Sequence, residues 1–349
     1  MKRLLDFFWP VLGLVAVVWS VRLLYSKLVA EAATDPAIAK ILQEGGLWSD
    51  IKTVAAGIGH KLAGIPVESY LMAGVSTLVA YWALAWYDRI ALAHLNKSSG
   101  ISWAYVACCS FVTYALSHNI GASVFSGGMV RLRAYTAKGL TAAEVAVLVA
   151  LCSFTFGFGT ILLLGIVLVY EPHILAPLGK MSHWFTISET SARLIGVAML
   201  AFCALYTIGA WRGFKPLKIK SFEFVYPSMP IVLRQYVAAP MELIGAAGII
   251  YFALPAEGNP GFMVVLGAFL LSFSAGLLSQ VPGGVGVMEA VFLAVMPGIP
   301  ASSVFAALLV WRLFYLIIPL ALSLPIILLF EKSQLGKATQ DQPTPASGP

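Results

Sequence analysis

Charge is scarce in this 349-residue chain. Only 11% of its residues are Asp, Glu, Lys or Arg, against roughly a quarter in an ordinary soluble domain. That excludes a water-soluble enzyme and a disordered chain. Cysteine is scarce as well. Cys108, Cys109, Cys152 and Cys203 all lie in apolar runs, form no CxxC and have no histidine at metal-ligand spacing. A secreted disulfide scaffold and a spaced metal site are therefore excluded, and the four thiols read as small apolar packers. HExxH, the Walker A loop and a strand followed by GxGxxG are also missing. No cofactor, no metal, no ATP coupling and no catalytic motif is expected. Nor does a basic stripe interleave with exposed aromatics, so the net charge of +6 does not point to nucleic acid.

What is abundant is apolar sequence. It makes up 60% of the chain, and the mean hydropathy is +0.88. Only repeated apolar runs of about 20 residues give such a balance, so the chain reads as an all-α polytopic membrane protein. Full-length spans are expected near 5–26, 68–88, 142–169, 191–211, 230–255 and 301–330, as helices because lipid offers backbone groups no other partner. The run behind Lys2 and Arg3 is longer than a signal-peptide core and reads as a retained first span. Two more apolar segments, 102–131 and 261–296, are interrupted near the middle by helix breakers.

The distribution of Lys and Arg gives these segments a topology. Lys2 and Arg3 place the N-terminus in the cytoplasm. For the basic loop Arg212, Lys215, Lys218 and Lys220 to be cytoplasmic too, segment 102–131 must enter and return on that side. Segment 261–296 then enters and returns from the other side, and the C-terminus is cytoplasmic. The result is two inverted-topology repeats, about 1–170 and 171–330, each with a Gly-Gly-interrupted re-entrant hairpin, in one membrane domain over 1–330. Both segments are also long enough simply to cross. Loop 27–67 carries apolar residues at helical spacing and reads as one or two amphipathic helices on the outer surface. Residues 331–349 read as a disordered cytoplasmic tail.

Interrupted helices at matching places in two halves point to a midplane transport site. The first reads Ser117-His118-Asn119-Ile120-Gly121, then Gly127-Gly128-Met129-Val130-Arg131-Leu132-Arg133-Ala134-Tyr135. The second reads Gln280-Val281-Pro282-Gly283-Gly284-Val285-Gly286-Val287-Met288-Glu289. Gly127, Gly128, Pro282, Gly283, Gly284 and Gly286 would let the backbone leave the helix and approach a ligand, or only mark kinks and close packing. Ionisable residues inside spans are costly and face a cavity or a partner. Glu242, Glu289, Arg234 and Arg312 qualify. Arg131, Arg133 and Arg312 suit a phosphate, and Glu289 or Glu242 a cationic head group. The plain alternative is a structural ion pair, Arg312 with Glu289. His118 either titrates near neutral pH or hydrogen-bonds a helix terminus.

These motifs resemble a known family. Gly127-Gly128-x-x-Arg131-x-Arg133-x-Tyr135, followed by Gly139-Leu140 and Glu144, is similar to the membrane domain of the multiple peptide resistance factors, bacterial lysyl-phosphatidylglycerol synthases and flippases. Pro282-Gly283-Gly284-x-Gly286-x-x-Glu289 resembles that family's second signature. Pro240-Met241-Glu242 ahead of Tyr251-Phe252-Ala253-Leu254-Pro255, and Arg312-x-x-Tyr315 ahead of Pro319, resemble two of its span patterns. The resemblance implies a stand-alone member without the synthase domain, multi-pass in the bacterial inner membrane and moving a phospholipid, glycolipid or aminoacylated lipid between leaflets. Arg131, Arg133, Tyr135, Asn119, Glu242, Glu289, Arg312 and Tyr315 are its expected substrate-binding residues. Two other readings stay open: a non-catalytic partner of a lipid-modifying enzyme, and a membrane-embedded head-group transferase. Homo-oligomerisation is open too.

Overall fold

The computed structural model describes residues 47–120, 123–179, 187–214, 217–219, 222–224 and 226–340, with Arg22 and Val29 in addition. The expected first span, most of loop 27–67 before residue 47, and the last residues of the tail lie outside the described residues. Eleven helices are labelled here in chain order. They are α1 (Leu47–Ala63), α2 (Val67–His94), α3 (Trp103–Ile120), α4 (Ser123–Thr136), α5 (Ala142–Tyr170), α6 (Glu189–Arg212), α7 (Met229–Ala253), α8 (Phe262–Leu278), α9 (Val287–Val295), α10 (Ala301–Arg312) and α11 (Ile318–Gln340). A π-type turn, Leu313–Ile317, joins the last two. Among the described residues, α2, α5, α6, α7 and the continuous stretch Ala301–Phe330 are long and apolar enough to cross a membrane; α8 is apolar but shorter.

Local chemistry sets the helix ends. Thr141 accepts from the Glu144 amide and the Glu144 carboxylate accepts from the Thr141 amide, a capping box that starts α5. Gly213, at φ 62°, ends α6 in the left-handed conformation that suits glycine. Outward faces are lined by Leu71, Leu78, Leu205, Leu328 and Leu329, all exposed. Large apolar side chains over so wide a surface mark faces that meet lipid or another protein.

The central pair is α2 against α7, and small residues let the two backbones meet. A Cβ on Gly245 would come within 2.8 Å of the Ser76 carbonyl oxygen and 2.9 Å of the Ala80 nitrogen. Gly248 lies against the Ser76 hydroxyl in the same way. α3 and α4 form a pair whose feet stand together. Tyr105, near the start of α3, donates to the Ala134 carbonyl near the end of α4 at 2.7 Å. Lys97, just past α2, bridges to Glu144 in the first turn of α5 at 3.1 Å. α8 and α9 form a second pair, turning over Ser279–Gly286. There Gln280, Gly283, Gly284 and Gly286 all have positive φ. The tips of the two pairs meet where Ser117 and His118 face Gly283 and Gly284, and Asn119 ties the first tip to the π-type turn, donating to the Leu316 carbonyl at 3.1 Å.

Several expectations change. Gly127 and Gly128 lie inside α4, not at a break; α3 ends at Ile120 and α4 starts at Ser123, and residues 121 and 122 lie outside the described residues. Gly127 instead serves close packing, since a Cβ there would meet Thr113 Cγ2 at 3.1 Å. α2 runs past residue 88 to His94. The basic loop is not wholly irregular: Leu217–Ile219 (β1) and Phe222–Phe224 (β2) pair antiparallel as a two-stranded ribbon, so the described residues are all-α but for these two strands. α11 continues to Gln340, into the stretch expected to be disordered. Glu331, Lys332, Gln334, Leu335 and Ala338 are good helix formers, and extending an existing helix avoids the cost of nucleation. In loop 27–67, α1 is the one amphipathic helix among the described residues, with Ile58 buried.

Gly245→Val is expected to cost about 1–3 kcal/mol through overpacking and to lower the melting temperature of the detergent-purified protein by several degrees. Gly57→Ala, where no neighbour lies within 4 Å, is expected to leave it unchanged.

Candidate functional site

Three polar knots sit in the apolar bundle. The first joins α2 to α4. Arg131 and Tyr135 are four residues apart and share one face of α4. Both point at Asp88 of α2. Arg131 Nη2 lies 2.6 Å from Asp88 Oδ1, and Nε donates to Oδ1 at 3.0 Å. The Tyr135 hydroxyl donates to Oδ2 at 2.8 Å, and Cys152 Sγ lies 3.4 Å from Oδ1. Asp88 is 0% exposed and Arg131 4%. The guanidinium also lies over the Tyr114 ring, 4.8 Å from its centre.

The second knot shapes the α8–α9 turn. Glu289 Oε2 accepts from the Gly286 amide at 2.8 Å, so the carboxylate caps its own helix. Glu289 Oε1 takes Arg312 Nε at 2.7 Å and Nη2 at 2.6 Å. Arg312 Nη1 donates to the Gly283 carbonyl at 2.9 Å. The ion pair raised as the plain alternative is thus formed, and it clamps the Pro282-Gly283-Gly284 turn to α10.

The third knot centres on Glu242 of α7, 1% exposed. The Tyr315 hydroxyl donates to Oε1 at 2.6 Å and the Tyr87 hydroxyl to Oε2 at 3.3 Å. Unlike the other two carboxylates, Glu242 has no cationic partner among the described residues. The π-type turn carries Tyr315, and such turns recur at functional sites. Pro319, four residues on, has no N–H for the Tyr315 carbonyl; the Tyr81 hydroxyl donates to it instead at 2.9 Å.

A cavity of about 260 Å³ lies between these groups, walled by Tyr114, His118, Arg131, Cys152, Glu242, Phe273 and Gln280. It takes residues from both interrupted segments and from α2, α5 and α7. His118 stacks on Tyr315 with ring centres 5.3 Å apart, and its Nδ1 is buried without a hydrogen-bond partner among the described residues. A smaller void of about 30 Å³, room for one water, separates Ser117 and His118 from Gly283 and Gly284.

The structure thus brings Arg131, Glu242 and His118 to one cavity and sets Tyr135 and Tyr315 behind the first two. Glu289, Arg312, Gly283 and Gly286 build the second knot, and Asn119 ties the first segment to the last helix. Arg133 stands apart: it is exposed and lines an apolar groove of about 360 Å³ with Cys108, Met129 and Phe330. Asp88 is the residue that sequence reasoning missed. It stands at the last position of the span expected near 68–88, where an ionisable residue draws no notice.

No protein-family model matches the chain. It is 31% identical over 258 residues to the inner membrane protein YbhN of Escherichia coli, across 73% of this chain and 77% of that protein. It is 30% identical over 244 residues to the uncharacterized protein slr0712 of Synechocystis, across 70% and 73%. The chain belongs to the YbhN family. A shorter stretch of 90 residues is 34% identical to the phosphatidylglycerol lysyltransferase of Bacillus subtilis, across 25% of this chain and 10% of that enzyme. The family therefore shares a membrane region of the lysyl-phosphatidylglycerol synthase type, as the sequence motifs implied.

Removing one partner of a buried ion pair strands the other, at about 3–5 kcal/mol. Asp88→Ala is expected to abolish or sharply reduce the yield of folded protein. Asp88→Leu with Arg131→Met, which removes both charges, is expected to restore much of the melting temperature. A double variant as unstable as the sum of the single losses would show that the pair is not coupled.

Proposed function

We propose that the chain is a lipid translocator of the bacterial inner membrane, moving a phospholipid or related lipid between leaflets without chemical change. The observation that carries this reading is the cavity where the tips of the two helix pairs meet, with Arg131, His118 and Glu242 in its wall. Two further features support it. The feet of α3 and α4 stand together beside the end of α2 and the start of α5, as a re-entrant hairpin requires. The order span, hairpin, span recurs in α7, α8–α9 and α10–α11, as an inverted repeat requires. Basic residues Arg89, Lys97, Arg133, Lys138, Arg212 and Arg234 fall at the α2 C-terminal end of the bundle, which in this reading is cytoplasmic.

The chemistry of the cavity suits a head group with both signs of charge. A lipid phosphate would compete with Asp88 for Arg131, forming a bidentate contact of comparable geometry. A head-group amine would supply the cation that Glu242 lacks. In that exchange both charges of the head group find a partner of opposite sign, and Asp88 keeps the Tyr135 hydroxyl as its donor while Arg131 is engaged. Kinship with the membrane region of phosphatidylglycerol lysyltransferases is consistent with such a substrate. Head-group chemistry is the second reading, and the unpartnered Nδ1 of His118 is the observation that favours it.

The test uses the purified full chain in liposomes with fluorescent phosphatidylglycerol and phosphatidylethanolamine and an impermeant quencher. Inner-leaflet signal is expected to be lost faster than in empty liposomes. Glu242→Gln, nearly isosteric, is expected to slow that loss about tenfold or more, the worth of a charged contact. A wild-type rate in well-folded Glu242→Gln protein would overturn the assignment of Glu242. A mass change in the recovered lipid, absent in His118→Ala, would replace translocation with head-group chemistry.

A further inference from the structure

Outside the central cavity, two arginines face one pocket, and neither has a carboxylate partner among the described residues. The pocket, about 340 Å³, is lined by Trp86, Arg89, Ile90, Ala93, Ser98 and Arg234. It lies where the C-terminal part of α2 passes the N-terminal part of α7. No acidic residue lines it, and neither arginine has a carboxylate partner among the described residues. Asp88, next to Arg89 in sequence, is turned into the bundle and spent on Arg131. Glu144, which belongs to the same end of the bundle, is taken by Lys97.

Arg89 is held in place rather than free to swing to water. Its Nη1 donates to the carbonyls of Ser98 and Ile101, both at 2.8 Å. The loop after α2 thus fixes one guanidinium edge, and Nε and Nη2 make no hydrogen bond among the described residues. Arg234, one and a half turns into α7, is exposed. Two like charges brought to one pocket repel each other, and near lipid that repulsion is weakly screened. An anion between them removes the penalty, and paired guanidiniums are well matched to phosphate oxygens. The Trp86 ring is of the type that settles at the lipid–water interface. A phosphate carried on an apolar body would therefore meet an apolar wall at Ile90 and Ala93 and a cationic wall at Arg89 and Arg234.

We infer that Arg89, Arg234 and Trp86 form a site, separate from the central cavity, for a phosphate monoester or a phosphodiester of net negative charge, one that carries no cation of its own. The site requires only that this end of the bundle meets a lipid surface or water. It does not require that the protein moves lipid, so the two ideas fail separately.

Binding is read by isothermal titration on the full chain in detergent. The probes are dihexanoyl-phosphatidylglycerol, dihexanoyl-phosphatidylcholine and inorganic phosphate. The anionic lipid is expected to bind saturably, more tightly than the zwitterionic one, and less tightly as salt rises. Arg234→Gln is expected to weaken it about tenfold, and Arg234→Lys to weaken it less. Arg234 is exposed, so the variant should fold, and gel filtration checks this. Arg89→Gln gives a second reading of the same loss. If inorganic phosphate binds as tightly as the anionic lipid, the ligand is a soluble anion. If it binds far more weakly, the ligand is a lipid head group. Both results support the site. Equal affinity for the two lipids, or unchanged affinity in folded Arg234→Gln and Arg89→Gln, overturns it.

Discussion

A charge inside a membrane needs a partner, and the described core of this protein is arranged around that requirement. Asp88 has Arg131, Glu289 has Arg312, and Glu242 has the hydroxyls of Tyr87 and Tyr315. Each partnership spans two helices. Asp88 joins α2 to α4, Glu289 joins α9 to α10, and Glu242 joins α7 to both α2 and the π-type turn. Lipid offers no alternative hydrogen bonds, so relaxing any of these contacts exposes an ion to a medium that cannot solvate it. Apolar packing between transmembrane helices is weakly directional. The ionic and tyrosine contacts supply the direction, and so fix which faces meet.

The three carboxylates differ in a way that divides structure from chemistry. Asp88 and Glu289 are fully occupied by guanidiniums, and Glu289 also caps its own helix. Glu242 is held only by neutral donors. Within one bundle, then, two acidic groups are paired with cations and one is not, among the described residues. It shares a cavity with His118, whose buried Nδ1 has no hydrogen-bond partner among the described residues.

Much of this was legible in the sequence, and the exceptions are instructive. Spans such as 142–169 and 191–211 are continuous apolar runs, and the helices found there differ from them by a few residues at most. Glu242, Glu289 and Arg312 stood out because an ionisable residue inside such a run is costly. Asp88 did not, because hydropathy fades before its helix does and α2 continues to His94. The pair Gly127-Gly128 looked like a break and is helical, whereas Gly283-Gly284 is a true break. Sequence alone does not separate these two uses of glycine. What decides is the neighbour: Thr113 lies against Gly127, while Arg312 grips the carbonyl of Gly283. Nor could pairing partners far apart in the chain be read from spacing, although Arg312 with Glu289 was among the alternatives.

The turn between α8 and α9 constrains how this chain can vary. A Cβ on Gly284 would meet the Gly276 Cα at 3.2 Å, and one on Gly276 would meet the Gly284 Cα at 3.4 Å. Gly276 sits in an ordinary helix and, taken alone, has no conformational reason to be glycine. A methyl at 276 would just touch the turn in ordinary contact, whereas at 284 both the 3.2 Å approach and a φ of 60° oppose any side chain. The two positions are therefore coupled unequally. A side chain at 284 would push the turn off α8, and with it the neighbouring Gly283 carbonyl that Arg312 holds.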